Sequence, residues 1–475
     1  MTHRPSRIFA GMLLLLLASL GAAIAGPATP PQTMRLDYLH TGDADEQHYA
    51  LDRIVIEPLP WAGNPARPID DSNRGNNRFE VVDHASGKVL YSRGFSTIFA
   101  EWRTTTEAAT LSRGFQESLR FPAPEAPVTV RVYERDATNA FVPVWSLELD
   151  PAALDIERRA MPSALAPVAI RDNGPSAQKV DLLILGDGYT ASEHDKFIAD
   201  ATRLADHLFT VSPFKERAGD FNVWGLMAPT PQSGVSRPST GDYHPSPLGT
   251  RYDIFGSERY VLAMDNRALR EIAQYAPNEF IEILVNNQTY GGGGIFGQFS
   301  TAAADNAFAD YLFVHEFSHH FAGLADEYYT SPVAYAPAEA KVEPWEPNVT
   351  ALHDPAQLKW GRHVRAETPV PTPWPKAEYE AAQRGFQQTR KQLRATQRPE
   401  SEMEALFREE LATTGELFAD ARYKDAVGAF EGANYSATGY YRPQMQCLMF
   451  DRSDAYCSVC SDAVETIIDL YSRPL

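Results

Sequence analysis

The residues best suited to chemistry form one short run, His315-Glu316-Phe317-Ser318-His319. On an α-helix, residues four apart lie one above the other, so the two histidines would present their imidazoles on one face and could hold one Zn²⁺. Zinc lowers the pKa of a bound water to about 7. Glu316 would stand beside that water as general base. The run therefore predicts the centre of a zinc peptidase.

The flanking sequence favours a helix that ends soon after the second histidine. No Pro or Gly interrupts residues 307–322, and Val314, Phe317 and Phe321 form an apolar stripe for packing. Gly323 then offers a left-handed C-terminal stop. Such an exit lets the chain turn back beneath the metal. Metzincins supply their third ligand in this way, with the pattern HExxHxxGxxH or a terminal Asp.

The third metal ligand is predicted from the acidic residues that follow this glycine. The glycine comes one residue later than in the metzincin pattern, position 325 is Ala, and Asp326 is the first acid after it. We predict three ligands and a fourth position open for water: His315, His319 and Asp326. Glu327 is the alternative third ligand.

Several residues near the C-terminus are expected to return to this centre. Met449 is the candidate for the tight turn with a Met that lies beneath the histidines of metzincins, and Met445 is the alternative. A phenol could also donate a hydrogen bond to the oxyanion of the reaction. The candidates for this role are Tyr435, Tyr440 and Tyr441.

The chain has only three cysteines, Cys447, Cys457 and Cys460. In an oxidising compartment one pair is expected to form a disulfide, and all three pairings are open. A structural zinc site would need a fourth ligand, and no nearby histidine offers one.

The first 25 residues have the features of a secretory signal peptide. Arg4 and Arg7 precede the apolar stretch 8–20, and Ala23-Ile24-Ala25 forms a small-residue cleavage site. The apolar stretch is short for a membrane anchor, so we expect it to be removed and the protein to be secreted or periplasmic. The net charge of −19 disfavours nucleic acid and anionic membranes as partners.

The remaining chain is long enough for two domains. Residues 34–150 contain short alternating strands separated by Pro, Asn and Gly, which predicts an all-β sandwich with an accessory or substrate-presenting role. Residues 158–177, rich in Ala and Pro, are interpreted as a linker. Residues 178–475 are predicted to be the catalytic domain, of mixed α+β or α/β class.

The catalytic domain opens with the apolar run 180–185, which suits a buried strand. Phe280–Val285 has the same character. The segment that follows, 286–294, ends in four consecutive glycines and would be either a wall of the cleft or a flexible connector. Residues 376–418 are polar and helix-forming, with a break near Pro399, and are predicted to be a packed helical insertion.

Six stretches together resemble the immunoglobulin A peptidase family of zinc metallopeptidases. They are LDRIVIEPLPW (51–61), LGDGYTASE (185–193), SGVSRP (233–238), VHEFSHHFAGLADEYY (314–329), FEGANY (430–435) and QCLMFD with YCSVC (446–460). The resemblance implies a β-sandwich followed by a metzincin-like peptidase domain, one zinc, and a secreted or periplasmic bacterial setting.

We therefore expect a zinc-dependent endopeptidase that acts on protein or peptide substrates, with one catalytic Zn²⁺ and no other cofactor. Two alternatives use the same scaffold. One is a binding or adhesin module on an inactive peptidase fold, which the intact Glu316 disfavours. The other is an amidase acting on cell-wall peptides by the same zinc chemistry.

Overall fold

The computed structural model describes residues 1, 30–162, 165–331 and 341–473. The predicted signal peptide, apart from Met1, lies outside the described residues. From Pro31 onward the chain forms one compact unit. None of the helices in the described ranges has the length and apolarity to span a membrane.

The N-terminal region is built from two four-stranded sheets. Their orders are β5-β1-β2-β8 and β4-β3-β6-β7, and their inward-facing residues form one apolar core that includes Leu36, Phe79 and Val130. A short helix, α1, follows β4. The bounds are β1 Gln32–Gly42, β2 Gln47–Pro60, β3 Asn77–Asp83, β4 Val89–Phe95, α1 Ile98–Trp102, β5 Arg113–Pro122, β6 Val128–Arg135, β7 Phe141–Leu149 and β8 Glu157–Arg158. The β-rich character predicted for this region is confirmed.

The peptidase region is organised around a six-stranded sheet of order β15-β16-β14-β10-β11-β9. The four inner strands are parallel, and the two edge strands run antiparallel to their neighbours. The bounds are β9 Val168–Arg171, β10 Val180–Asp187, β11 Phe221–Met227, β14 Phe280–Val285, β15 Gly292–Ile295 and β16 Phe299–Ala303, with a small pair β12 Thr250–Arg251 and β13 Leu262–Ala263.

Both faces of this sheet are covered, which explains why its strands read as continuous apolar runs. Leu182 and Ile184 of β10 belong to the core on the helical face, whereas Leu183 and Leu185 belong to the core on the opposite face. Trp102 of α1 is part of that second core. The N-terminal region therefore packs directly against the peptidase sheet.

The helices complete the architecture. They are α2 His194–Leu208, α3 Asn266–Ala273, α4 Ala309–Ala322, α5 Lys376–Ala395, α6 Glu400–Ala419 and α7 Ser458–Ser472, and a last hairpin is formed by β17 Phe430–Ala433 and β18 Ser436–Arg442. The predicted helical insertion corresponds to α5 and α6, which pack on each other. The interpretation of 158–177 as a mere linker is wrong in part, because β9 adds an edge strand to the sheet from within it.

Buried charges join the two regions. The side chain of Arg35 on β1 is fully buried and forms ion pairs with Asp37 and Glu57 of its own region and with Glu271 on α3. Arg120 on β5 donates to the backbone and side chain of Asn278. These paired charges hold the sandwich in place, and with it α1 at the edge of the cleft described below.

Candidate metal centre and active site

Helix α4 carries the predicted metal-binding run and ends where the sequence predicts. Gly323 adopts the left-handed conformation, with φ 60°, and donates its N–H to the carbonyl of His319. A Cβ at this position would lie 2.7 Å from the ring of Trp345. Glycine is therefore required for both conformation and space. The turn directs the chain back toward the histidines.

Three acceptor atoms converge at the end of this helix. The distance from His315 Nε2 to His319 Nε2 is 3.3 Å. Asp326 Oδ1 lies 3.1 Å from the first nitrogen and 3.2 Å from the second. A tetrahedral ion about 2.0–2.1 Å from each donor would separate those donors by roughly 3.3 Å. The triangle therefore has the dimensions of three ligands around one zinc ion.

The other ring nitrogens determine which way the lone pairs point. His315 Nδ1 lies 3.0 Å from the hydroxyl of Tyr311 and 3.3 Å from the carbonyl of Leu448. His319 Nδ1 lies 2.5 Å from the carbonyl of Leu324. A carbonyl only accepts, so both Nδ1 atoms carry the proton and both Nε2 lone pairs face the centre.

The electrostatics of the triangle favour a cation. Asp326 Oδ1 is buried, and within the described part of the chain only the two imidazoles lie at hydrogen-bonding distance from it. Burial lowers the pKa of His319, but Asp326, Glu316 and the Leu324 carbonyl together raise it to about 9. Two lone pairs and a carboxylate oxygen facing one point are repulsive without positive charge between them, so the donor set fits a divalent metal.

A chain of hydroxyl groups fixes the orientation of Asp326. Tyr435 donates its hydroxyl to Asp326 Oδ2. The hydroxyls of Tyr435 and Tyr328 are 3.3 Å apart, and Arg259 Nη1 donates to Tyr328 at 3.1 Å. Asn434 and Tyr435 both adopt positive φ, 48° and 56°, and this strained backbone places the phenol over the carboxylate.

Glu316 occupies the position expected of a general base. One carboxylate oxygen of Glu316 and one ring nitrogen each of His315 and His319 lie within 4.8 Å of one another. Burial raises the pKa of Glu316, and the two imidazoles oppose that shift. The backbone of β15 approaches this residue closely, since a Cβ at Gly292 would lie 2.8 Å from Glu316 Cγ.

These groups open into a cleft of about 470 Å³. One wall is β15. The end of the segment 286–294 is therefore part of a cleft wall, one of the two alternatives predicted for it. The lining also includes Thr97, the N-cap of α1, and Glu101 of α1, both from the N-terminal region. Burial raises the pKa of Glu101 to about 7, and Tyr260 donates a hydrogen bond to its carboxylate. The N-terminal region thus contributes directly to the cleft.

The structure separates the predicted phenols. Tyr435 reaches Asp326, as described above. The hydroxyl of Tyr440 donates to the carbonyl of Val342, and Tyr441 exchanges backbone hydrogen bonds with Thr350. Arg259, Tyr328 and Glu101 were not predicted from the sequence. Only Tyr328 carried a local signal, because it lies two residues after Asp326.

Met449 lies in a tight turn beside the metal centre. The N–H of Phe450 donates to the carbonyl of Cys447, which closes the turn. The carbonyl of Leu448 faces His315, and the carbonyl of Met449 accepts from the N–H of Glu327. The position agrees with the turn predicted for Met449. Met445 is buried outside this turn.

Glu327, the alternative third ligand, turns away from the histidines. Its Oε1 lies 3.2 Å from the Sγ of Cys460. The three cysteines are buried and free, so the prediction of a disulfide is wrong. The sulfurs of Cys447 and Cys460 are 3.7 Å apart, much farther than the ~2.05 Å of a disulfide bond.

His320 follows the metal-binding run but serves the core. Its Nδ1 donates to the carbonyl of Ile295 and its Nε2 accepts from the N–H of Ile281. Burial lowers its pKa to about 3, so the ring is neutral. This histidine joins α4 to the sheet by bonds to two strands and faces away from the cleft.

Two family models match the chain, and together they cover most of it. The model described as IgA Peptidase M64 matches residues 168–468, and the model described as Peptidase M64 N-terminus matches residues 28–146. A comparison with curated proteins finds no match. With the helix, the exit turn and the convergent donors in place, the chain belongs to the M64 family of IgA peptidases and is a peptidase.

Proposed function

We propose that this protein is a zinc-dependent endopeptidase that is secreted or periplasmic. The observation that carries the proposal is the triangle formed by His315 Nε2, His319 Nε2 and Asp326 Oδ1, with sides of 3.1–3.3 Å. A bound zinc would supply Lewis acidity at this point, polarising the substrate carbonyl and acidifying water. The choice of zinc follows from two imidazoles and one carboxylate, a donor set typical of catalytic zinc.

Glu316 is proposed to move the proton. Its carboxylate takes a proton from the attacking water, and the resulting acid passes that proton to the nitrogen of the leaving amine. The raised pKa of Glu316 supports both roles, because a carboxyl group with a raised pKa can hold the proton between the two steps. The groups around the histidines keep the imidazoles oriented and do not exchange protons with substrate.

Tyr328 is proposed to stabilise the developing oxyanion. Its hydroxyl already accepts from Arg259. Among the residues that the structure describes, the acceptor left for its own proton is the Tyr435 oxygen at 3.3 Å, which is a weak bond. The proton of Tyr435 is committed to Asp326. Tyr328 is therefore the phenol best able to turn its proton toward substrate, and Arg259 increases its strength as a donor.

The outer edge of β15 at the half-buried Gly294 is proposed to align the substrate. Gly292 bonds on its outer side to Arg259 and Val261. The backbone N–H and C=O of Gly294, two residues further on, point to the same outer side, because alternate residues of a strand direct their hydrogen-bonding groups the same way. An extended peptide could add as a further strand here, beside Glu316. Residues 34–150 would act as an accessory domain that contributes part of the cleft lining.

The decisive variant is Glu316→Gln, which keeps the shape of the side chain and removes its basicity. The expected result is unchanged metal content with a 10²–10⁴-fold loss, in order of magnitude, of casein hydrolysis. Glu125→Gln, an exposed change in the N-terminal region, is the matched control. Activity close to wild type in Glu316→Gln would disprove the role.

Export is tested separately. Expression with the full leader in a bacterial host should yield a periplasmic or extracellular protein whose first residue is Gly26. A protein that keeps Met1 and stays with the cytoplasmic fraction would contradict this part of the proposal and leave the peptidase assignment untouched.

A further inference from the structure

A second group of potential metal ligands begins at Glu327, the residue that follows Asp326 in the sequence. It consists of Glu327, Cys447, Cys457 and Cys460, all buried, with ligand atoms within 4.8 Å of one another. We name it the thiolate cluster. Asp326 and Glu327 are neighbours in sequence, yet one carboxylate points to the histidines and the other into the thiolate cluster.

The distances within the thiolate cluster are those of a tetrahedral thiolate site. Cys447 Sγ and Cys460 Sγ are 3.7 Å apart. Glu327 Oε1 lies 3.2 Å from Cys460 Sγ and 4.0 Å from Cys457 Sγ. Zinc–sulfur bonds of about 2.3 Å at tetrahedral angles would place two sulfurs roughly 3.8 Å apart. The fourth ligand that the sequence analysis could not find is thus Glu327.

Backbone N–H groups point at two of the three sulfur atoms. The N–H of Cys457 donates to Cys447 Sγ at 3.2 Å, and the N–H of Cys460 donates to Cys457 Sγ at 3.4 Å. Cys457 is also the N-cap of α7, where the helix dipole stabilises negative charge. Each backbone bond aims a donor at a sulfur atom, as expected where the sulfur is anionic.

Glu327 provides an independent sign of a bound cation. The residue is fully buried, and Asn348 donates to its Oε1 at 3.0 Å. Its Oε2, in contrast, has no hydrogen-bond partner among the described residues. A buried carboxylate with an unpartnered oxygen is costly, and a cation bound at Oε1, the oxygen that lies 3.2 Å from Cys460 Sγ, would offset its charge.

The charge of such a site can be balanced. Three thiolates and one carboxylate around a divalent ion leave two negative charges. Two buried guanidinium groups act on the thiolate cluster, Arg442 on Glu327 and Arg74 on Cys460. Together they offset the excess, which a buried site requires.

We infer that Glu327, Cys447, Cys457 and Cys460 bind a second divalent metal, zinc, in a structural site. This site would join three segments: the loop that carries Asp326, the turn that contains Met449, and the start of α7. The first two are already in contact, because the N–H of Glu327 donates to the carbonyl of Met449 at 2.8 Å. A metal here would fix the positions of Asp326 and of the Leu448 carbonyl that orients His315.

Metal analysis of the full chain tests the inference. The wild-type protein, purified without chelator, should contain two zinc ions per chain when measured by inductively coupled plasma mass spectrometry. The double variant His315→Ala with His319→Ala should keep one. Cys447→Ser with Cys460→Ser should also keep one, at the histidines. Glu327→Gln should weaken binding at the thiolate cluster, whereas the same change at Glu316 should not.

Measurements on the unmodified protein keep the inference testable if the cysteine variants do not fold. X-ray absorption at the zinc edge should show a sulfur shell at about 2.3 Å beside a nitrogen and oxygen shell at about 2.0 Å. Three thiols should react with a thiol reagent after denaturation without reductant. One zinc per chain and no sulfur shell would overturn the inference. This holds whether three thiols react, which means free cysteines, or only one, which means a disulfide. Zinc lost solely from the histidine site would overturn the proposed function instead.

Discussion

Replacing Gly294 by Ala tests how closely the cleft wall must approach the metal helix. Gly294 lies on β15, and a Cβ there would be 2.4 Å from the backbone carbonyl oxygen of Glu316 and 2.8 Å from the Cβ of His319. Its φ lies outside the left-handed region, so alanine is compatible with the backbone and only space opposes it.

The expected effect follows from that overlap. Real Cβ atoms essentially never lie closer than 3.0 Å to such an atom, so strand and helix must separate by about 0.6 Å or more. A misplacement of this order costs about 10- to 100-fold in rate when the moved groups are a general base and a metal ligand. Overpacking should also reduce the free energy of unfolding by about 1–3 kcal/mol.

The assay is kcat/KM on a fluorogenic peptide together with urea unfolding and metal content. Gly385→Ala is the control, because Gly385 lies inside α5 and a Cβ there meets nothing within 4 Å. It should keep full activity and gain about 0.5–1 kcal/mol of stability. Wild-type kinetics in Gly294→Ala would refute the close packing of β15 on the metal helix and the alignment of substrate at this edge.

Three further outcomes are expected. Tyr328→Phe should lower kcat about 10²-fold with metal retained, while Tyr440→Phe, whose hydroxyl bonds to a backbone carbonyl, should not; equal losses would argue against an oxyanion role. Burial raises the pKa of Glu101 to about 7, so the unfolded chain ionises first and the wild-type protein loses stability as pH rises from about 4.5 to 7. Glu101→Gln should gain about 1–3 kcal/mol over wild type above pH 7 and little below pH 4.5, and urea unfolding that shows no such pH dependence would contradict the buried carboxyl. Asp326→Ala should lower the affinity of the histidine site for zinc by at least about tenfold, measured by competition with a chelating dye; unchanged affinity would exclude this carboxylate as a ligand.

Local patterns in the sequence were sufficient for the centre of the site. The spacing of His315 and His319, the apolar stripes of α4 and the glycine that ends it are all properties of one helix. The buried strands β10 and β14 were equally readable, because a strand covered on both faces must be apolar throughout.

The features that were missed depend on contacts between distant segments. Glu101 reaches the cleft through packing of the N-terminal region on the peptidase region, to which Arg35 and Arg120 contribute. No periodicity reports such an arrangement. The prediction for the cysteines failed for a different reason: it considered histidine alone as a fourth partner, whereas the fold directs Glu327 into the thiolate cluster.

Anomalous diffraction at the zinc absorption edge, on crystals of the full mature chain, tests the central claim most directly. We expect a peak about 2.0–2.2 Å from His315 Nε2, His319 Nε2 and Asp326 Oδ1, with Glu316 beside it and not bound to it. A site with no peak, or a peak held by a different set of side chains, would contradict the account.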